Sequence, residues 1–302
     1  MVVGSSNTDM VIKMERLPAP GETVLGGEFL MVPGGKGANQ AVAAARLRAR
    51  VSFIARLGMD VFGETALLNF QKEGIDTEFI ARDAERPSGV ALIFVDRHGE
   101  NMIAVAPGSN SRLSPADVER ASDRMSACSV LVLQLEIPLS AVEVAARLAG
   151  ERGLKVILNP APAFEAGLPG SLLELVDVLV PNESEARALL GLKPGADIDR
   201  AAALRLLDFG IGSAIVTLGA RGSLVVTRDG VESVPAPKVT PVDTTAAGDA
   251  FTGATAVALA SGRSLLDAAR FASQAAALSV TRMGAQSSLP TAEELAQFLR
   301  QS

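Results

Sequence analysis

The chain has no tryptophan and no tyrosine, a single histidine and a single cysteine. These shortages close off several kinds of function. With Cys128 alone, no disulfide can form within the chain, which agrees with a reducing cytosol. With His98 alone, a Ser-His-Asp triad would have to rest on the polar turn Asp96-Arg97-His98-Gly99-Glu100, and a zinc site would be short of ligands. His98 is expected to be a surface turn residue. No apolar run approaches the roughly 18 residues of a membrane span. The formal net charge is −6 with no basic tract, so nothing suits a nucleic-acid backbone. Neither a membrane nor a nucleic-acid partner is expected. Residues 1–4 read as a strand without a signal-peptide pattern, and a cytoplasmic protein is expected. Two nucleotide motifs are also missing. The P-loop pattern fails because Gly35-Lys36 continues with Gly37 and has Leu30 where the first glycine belongs. The dinucleotide pattern fails because Gly35-Lys36-Gly37 is followed by Ala38, Asn39 and Gln40.

What is present is a chain of 302 residues, 48% hydrophobic, enough for one large α/β domain with an appendage or for two domains. From residue 113 onward strands and helices alternate. Strands are predicted at 130–135, 155–159, 178–180 and 214–218, and helices at 138–150, 183–190, 200–209 and 292–299, with a helical turn at 172–175. Earlier, a strand at 51–57 and a helix at 63–73 follow an Ala-rich helix that opens at 34–39 and runs to 47. A hairpin over 222–234 turns at Asp229-Gly230, and a strand-like segment at 234–242 leads toward two further helices. This alternation predicts an α/β fold with a mainly parallel central sheet flanked by helices on both faces. Two patches break it. Residues 9–33, interrupted by Pro18, Pro20, Gly21, Gly26 and Gly27, and the hairpin 89–95 with 101–105 lack the helices of a parallel sheet. They are expected to form a separate small sheet.

Ligands of such folds bind at the carboxyl ends of the strands, where Asn7, Glu136, Asn159, Asn182, Thr217 and Asp249 fall. The stretch Val242-Asp243-Thr244-Thr245-Ala246-Ala247-Gly248-Asp249 reads as a loop entering a helix. Small residues at Ala246, Ala247 and Gly248 would let an anion reach the first-turn amides, with Asp249 beside it. That suits a base that deprotonates a hydroxyl attacking a phosphate; the simpler reading is that Asp249 caps the helix. Asn7 and Asp9 with Gly34, Gly35, Lys36 and Asn39 offer the mixed donors and acceptors of a sugar site, or an ordinary loop before a helix. Asn182 and Glu185 either cap a helix or order water around a divalent cation. Thr217-Leu218-Gly219-Ala220-Arg221-Gly222 is either a phosphate-contacting turn or only a turn.

Gly34-Gly35-Lys36-Gly37-Ala38-Asn39-Gln40-Ala41 and Asp243-Thr244-Thr245-Ala246-Ala247-Gly248-Asp249, in that order and at that separation, resemble the two signatures of the carbohydrate kinases typified by ribokinase and adenosine kinase. Gly89 to Val95, Leu133-Gln134-Leu135-Glu136, Asn159-Pro160-Ala161-Pro162-Ala163 and Val280 to Gln286 extend the resemblance along essentially the whole chain. It implies a single ribokinase-like domain over 1–302, with a lid formed by about 9–33 and 89–105. It implies ATP-dependent phosphorylation of D-ribose at its 5-hydroxyl, with 2-deoxyribose, another pentose or a nucleoside as neighbouring substrates, and a silent binding regulator as a different class. Few aromatic side chains, 11 Phe with no Trp or Tyr, argue mildly against a stacked nucleobase. By the resemblance, Asp249 is the base and the amides of Ala246, Ala247, Gly248 and Asp249 form the anion hole. Asn7, Asp9, Gly34, Gly35, Lys36, Asn39 and Glu136 would hold the sugar. Asn182, Thr217, Gly219, Ala220, Arg221, Gly222 and Gly248 would line the ATP site, with Glu185 assisting Mg2+ through water. An activating K+ would fall on Asp243, Thr245, Ser279, Arg282, Gly284 and Ser288, several through backbone carbonyls. A homodimer through the lid sheet is implied as well.

Overall fold

Strands that are apolar end to end must be buried on both faces, and those of this chain are. A computed structural model describes residues 1–98, 100–164 and 167–301. Its elements in chain order are β1 (Val2–Val3), β2 (Asn7–Lys13), β3 (Glu28–Gly34), α1 (Lys36–Arg46), β4 (Phe53–Gly58), α2 (Val61–Lys72), β5 (Ile80–Asp83), β6 (Gly89–Val95) and β7 (Asn101–Ala106). There follow α3 (Pro115–Glu119), α4 (Ser122–Met125), β8 (Val130–Leu133), α5 (Leu139–Glu151), β9 (Lys155–Leu158), α6 (Gly170–Leu173), β10 (Val178–Leu179), α7 (Glu183–Leu190) and α8 (Arg200–Leu204). The rest comprises β11 (Ser213–Thr217), β12 (Ser223–Thr227), β13 (Gly230–Val234), α9 (Ala247–Ala260), α10 (Leu265–Ser279) and α11 (Ala292–Gln301).

The large sheet has the order β13-β12-β11-β10-β9-β8-β1-β4-β5. It is parallel from β11 to β5 and antiparallel only at the β12 and β13 edge. Alternate residues feed two cores. Val130 and Val132 point toward α1, α9 and α10, while Leu131 and Leu133 point toward the α3 to α8 side. Strand order reverses between β1 and β8, and at such a switch the loops diverge and leave a crevice. The helices over that crevice cross closely. A Cβ on Gly253 of α9 would sit 2.7 Å from the Ala43 Cβ and 2.9 Å from the Gln40 carbonyl of α1. The absent side chain lets the two helix starts converge.

The second sheet has the order β3-β2-β6-β7. Its central pair, β2 and β6, is parallel, contrary to the expectation from two patches that lack the helices of a parallel sheet. The connection that parallel pairing needs runs through the main sheet, over α1, β4, α2 and β5, and no local pattern reports it. Register then divides the two faces. Met10 pairs with Met31 and Leu92, and Ile12 with Phe29 and Phe94, so these share one face, while Asp9 lies on the other. Phe29, Met31, Leu92 and Met102 are exposed.

Other departures have local causes. Residues 235–242 form no strand; Pro235, Pro237 and Pro241 cannot donate to a ladder. The predicted helix 200–209 splits into α8 and a 3₁₀ turn, Arg205–Phe209. Strand β5 was missed because four residues show no usable alternation. His98 is exposed in its turn, of which Gly99 lies outside the described residues.

Candidate active site

Helix α9 starts without a side-chain cap. Its N-cap residue, Ala246, is held at φ 60° and ψ 12°, left-handed geometry that costs an alanine about 1 kcal/mol. The Ala247 amide donates to the Thr244 carbonyl at 3.2 Å, so the open donors of the first turn are those beyond it. Asp249 is buried in this turn and does not cap it. Its Oδ2 accepts from Asn39 Nδ2 and its Oδ1 from Gln40 Nε2, each at 2.9 Å. Both donors lie in the first turns of α1. The other end of the Asn39 amide, Oδ1, is buried without a partner among the described residues. A buried lone acceptor beside a carboxylate is a costly arrangement that a ligand hydroxyl would relieve.

Charge converges on this point. Burial pushes Asp249 above the ordinary carboxylate range, against Lys36 and the two donated bonds. Burial also raises Asp9 to about 6, with Glu136 and Asp249 adding to the shift and Lys36 opposing it. Burial lowers the Lys36 ammonium, but Asp249, Glu136, Glu185 and Asp9 outweigh it and hold it above its usual value. One lysine thus serves four carboxyl groups, whose burial and mutual repulsion raise the pKa values of Asp9, Glu185 and Asp249 and leave acceptors for the hydroxyls of a ligand.

The glycines of the first signature keep the acids close. A Cβ on Gly34 would lie 2.1 Å from Asp9 Oδ2. Gly35, at φ 89°, brings α1 against Ser6 and Asn7. Glu136 Oε2 accepts from the Lys36 amide at 3.0 Å and from Ser5 Oγ at 2.5 Å, capping α1 from outside. Asn7 Oδ1 accepts from Asn110 Nδ2 at 2.8 Å, and Asn110 also clasps both backbone groups of Ser6.

A polar cavity of about 180 Å³ is lined by Lys36, Asn159, Asn182, Glu185, Thr217, Thr244, Asp249 and the α9 start. A larger, more apolar cavity of about 670 Å³ adjoins it, sharing Asn182, Thr217, Thr244, Ala247 and Gly248. Gly219, Ala220 and Gly222 line the larger space, as do Pro237, Val239, Phe251, Ala276 and Val280. Arg221 does not line it; its guanidinium pairs with Glu183 on the exposed side of the turn. Asn182 and Glu185 form a full capping box on α7, with bonds of 2.8 and 2.9 Å. They line the small cavity as well.

The residues expected around a monovalent ion lie in the loop before α9, at the last residue of α10 and in the segment that follows it, and Gly284 of that segment meets Asp243. Asp243 accepts from Thr245 through Oδ1 and from the Gly284 amide through Oδ2 at 2.8 Å. Ser279 and Ser288 are buried and donate to nearby carbonyls, which leaves their oxygens as acceptors. The Arg282 side chain is taken by Glu294, so only its carbonyl could serve an ion.

Gln40, Gln134, Asn110 and Ser5 were not singled out from the sequence as site residues. A signal for the first two did exist. Gln40 interrupts an otherwise small and apolar helical run, and Gln134 ends the apolar run of β8. Such polar residues at buried positions need partners, but the partners are not visible in the sequence.

Comparison with known proteins extends what the geometry shows. A family model described as pfkB family carbohydrate kinase matches residues 1–292. The ribokinase of Haemophilus influenzae is 44% identical over 299 residues, covering 99% of this chain and 97% of its own. The deoxyribokinase of Salmonella typhimurium is 40% identical over 299 residues, with the same coverage of 99% and 97%. The structure of Arabidopsis thaliana ribokinase complexed with ribose and ATP superposes with a TM-score of 0.89 at 32% identity, covering 100% of this chain and 98% of that one. Matched along nearly its whole length in sequence and in fold, the chain belongs to the pfkB family of carbohydrate kinases.

Proposed function

We propose that the chain transfers the γ-phosphoryl group of ATP to the 5-hydroxyl of D-ribose, with Asp249 as the general base. The observation that carries this reading is a buried carboxylate at an uncapped helix start, beside an unpartnered amide oxygen. The ribokinases at 38–44% identity and the Arabidopsis complex support the substrate pair. Asn7, Asp9, Gly34, Gly35, Lys36, Asn39 and Glu136 hold the sugar hydroxyls. The acceptor oxygen gives its proton to Asp249 as it bonds to the γ-phosphorus, and the bond from that phosphorus to the bridging oxygen of ADP breaks. Charge spreading over the transferred group meets the first-turn amides of α9 and the Lys36 ammonium. The larger cavity takes adenine and its ribose against Gly219, Ala220, Gly222 and the apolar wall.

Mg2+ held on the ATP phosphates would neutralise their charge, with the Glu185 carboxylate at the cavity wall reaching it through water. Hard oxygen donors suit an alkali cation, and Asp243, Thr245, Ser279 and Ser288, with the carbonyls of Arg282 and Gly284, supply only such donors. Bound K+ would firm the loops that carry the α9 start. The four-stranded sheet acts as the lid of a single domain, and its apolar outer face is where a second copy docks to form a homodimer. A cytoplasmic location fits the single Cys128, which can form no disulfide within the chain.

The test is ADP release across ribose, 2-deoxyribose, fructose and adenosine, with and without K+. Ribose is expected to turn over fastest, with K+ raising the rate. The deoxyribokinase similarity makes 2-deoxyribose the second reading. ADP release with none of the four would overturn both.

A further inference from the structure

The environment of Asp249 contains a feature that proton transfer alone does not demand. Gln40 is fully buried on α1, and all its polar atoms are engaged. Its Nε2 donates to Asp249 Oδ1 at 2.9 Å and to Asn159 Oδ1 at 3.1 Å. Its Oε1 accepts from Gln134 Nε2 at 2.6 Å. Asn159 in turn donates through Nδ2 to the Val180 carbonyl at 2.9 Å.

These bonds form a directed chain. A backbone carbonyl can only accept, so Val180 forces the Asn159 amide to present its oxygen to Gln40. Gln40 must then present its NH2 group to Asn159 and Asp249. Gln134 closes the other end by donating to the Gln40 oxygen. A flipped Gln40 would set its oxygen against two acceptors and its NH2 against another NH2. Gln134 itself carries a cost. Its Oε1 is buried without a partner among the described residues, and it fits only because position 4 is glycine, where a Cβ would fall 2.0 Å from that oxygen. A methionine at 134 would avoid the unpaired oxygen. The bond that glutamine adds here is the one that orients Gln40.

We infer that Gln40, oriented by Gln134 and by Asn159 from the Val180 carbonyl, is the positioning residue that holds Oδ1 of Asp249 and so presents Oδ2, which also accepts from Asn39, to the acceptor hydroxyl. The inference rests on the reading of Asp249 as the base. Gln40 needs no contact with sugar or nucleotide; it acts by fixing the carboxylate and favouring its ionised form. Lys36 on α1, Asp9 on β2, Glu136 beyond β8 and Glu185 on α7 also act on Asp249, and the Gln40 side-chain bonds go instead to Asp249, Asn159 and Gln134.

The test is steady-state kinetics at saturating ribose and ATP across pH, with ribose affinity measured by calorimetry. Gln40→Met should lower kcat by about 10- to 100-fold, the range for losing a hydrogen bond to a charged group. Ribose affinity should stay within about threefold, and the acid limb of the kcat profile should move up by about one pH unit. Gln40→Glu keeps the shape and the acceptor for Gln134 but adds a like charge, and should move that limb further. Gln134→Met should move it in the same direction by less. Should Gln40→Met fail to fold, Gln134→Met decides by the same two readouts. An unmoved acid limb, or ribose affinity falling as far as turnover, would overturn the assignment. Asp249→Asn separates the two readings: wild-type turnover in it removes the base, whereas an inactive Asp249→Asn beside an unaltered Gln40→Met removes the role of Gln40 alone. In the Asp249→Asn background, Gln40→Met should change the residual rate less than about twofold.

Discussion

Helices α7 and α9 both line the small cavity, and both carry an acid at the third position of the first turn, Glu185 in one and Asp249 in the other. In α7 the acid turns back and pairs with the N-cap amide of Asn182, while Asn182 caps Glu185. In α9 the N-cap is a strained alanine with no side chain to offer, and the acid reaches across to Asn39 and Gln40 on another helix. One helix start is satisfied by its own residues. The other is left open, at a cost in strain and unpaired donors. The open one leaves first-turn amides for a ligand's negative charge, and its acid is held from another helix rather than by its own N-cap. The alternative raised by the sequence, that Asp249 is a cap, is thereby settled by where its oxygens go.

The strongest way to break this contrast is Asp249→Asn. Turnover should fall by a factor of about 10² to 10⁴, with ribose binding by calorimetry nearly unchanged. Wild-type turnover would show that the two acids are equivalent after all.

Next in size is the pH dependence of sugar binding. Asp9 has no cap-like partner and is raised to about 6. Below pH 6 it is protonated and loses its charge-assisted bonds to the sugar hydroxyls, so ribose affinity should weaken by up to about tenfold per pH unit there and level off above. For stability the sign is the reverse of the usual carboxylate case. The folded value lies above the unfolded one, so the contribution is present below about 3.8 and is lost as pH rises through about 6. Asp9→Asn should therefore raise the stability of the unliganded protein above pH 6, by roughly 1–2 kcal/mol, while weakening ribose binding. Thermal melts with and without ribose at pH 5 and pH 8 would show a lower Asp9→Asn stability at pH 8 if this sign is wrong.

Smaller effects sharpen the comparison at each helix start. Asn182→Ala opens α7 and should cost about 1 kcal/mol of stability on denaturation, with a modest loss in ATP affinity. A collapse of turnover in that variant would mean that α7 does more than close itself. Ala246→Gly relieves the left-handed alanine at α9. It should change stability by no more than about 1 kcal/mol in the favourable direction, with kcat within a few-fold.

The main sheet was legible because a strand buried on both faces must be apolar along its length, and 130–133, 156–158 and 214–216 are. The segment 234–242 misled because its spaced apolar residues resemble a strand until its prolines are weighed. Strand β5 left no mark because Ile80–Asp83 is too short to carry a period.

Amino-acid order alone determined the α/β alternation, the lack of a second cysteine for a disulfide within the chain, and the two helix starts rich in small residues. These features reach no further along the chain than a turn of helix or a pair of strand residues, which is the range over which local periodicity and capping act. The tertiary structure alone decided that β2 pairs parallel to β6, that Asp249 leaves its own helix end open, and that Gln40 meets partners 94, 119 and 209 residues away. A buried polar side chain advertises its need for a partner, but which partner answers is set by the packing of α1 against α9, where glycine at 253 lets the two backbones close.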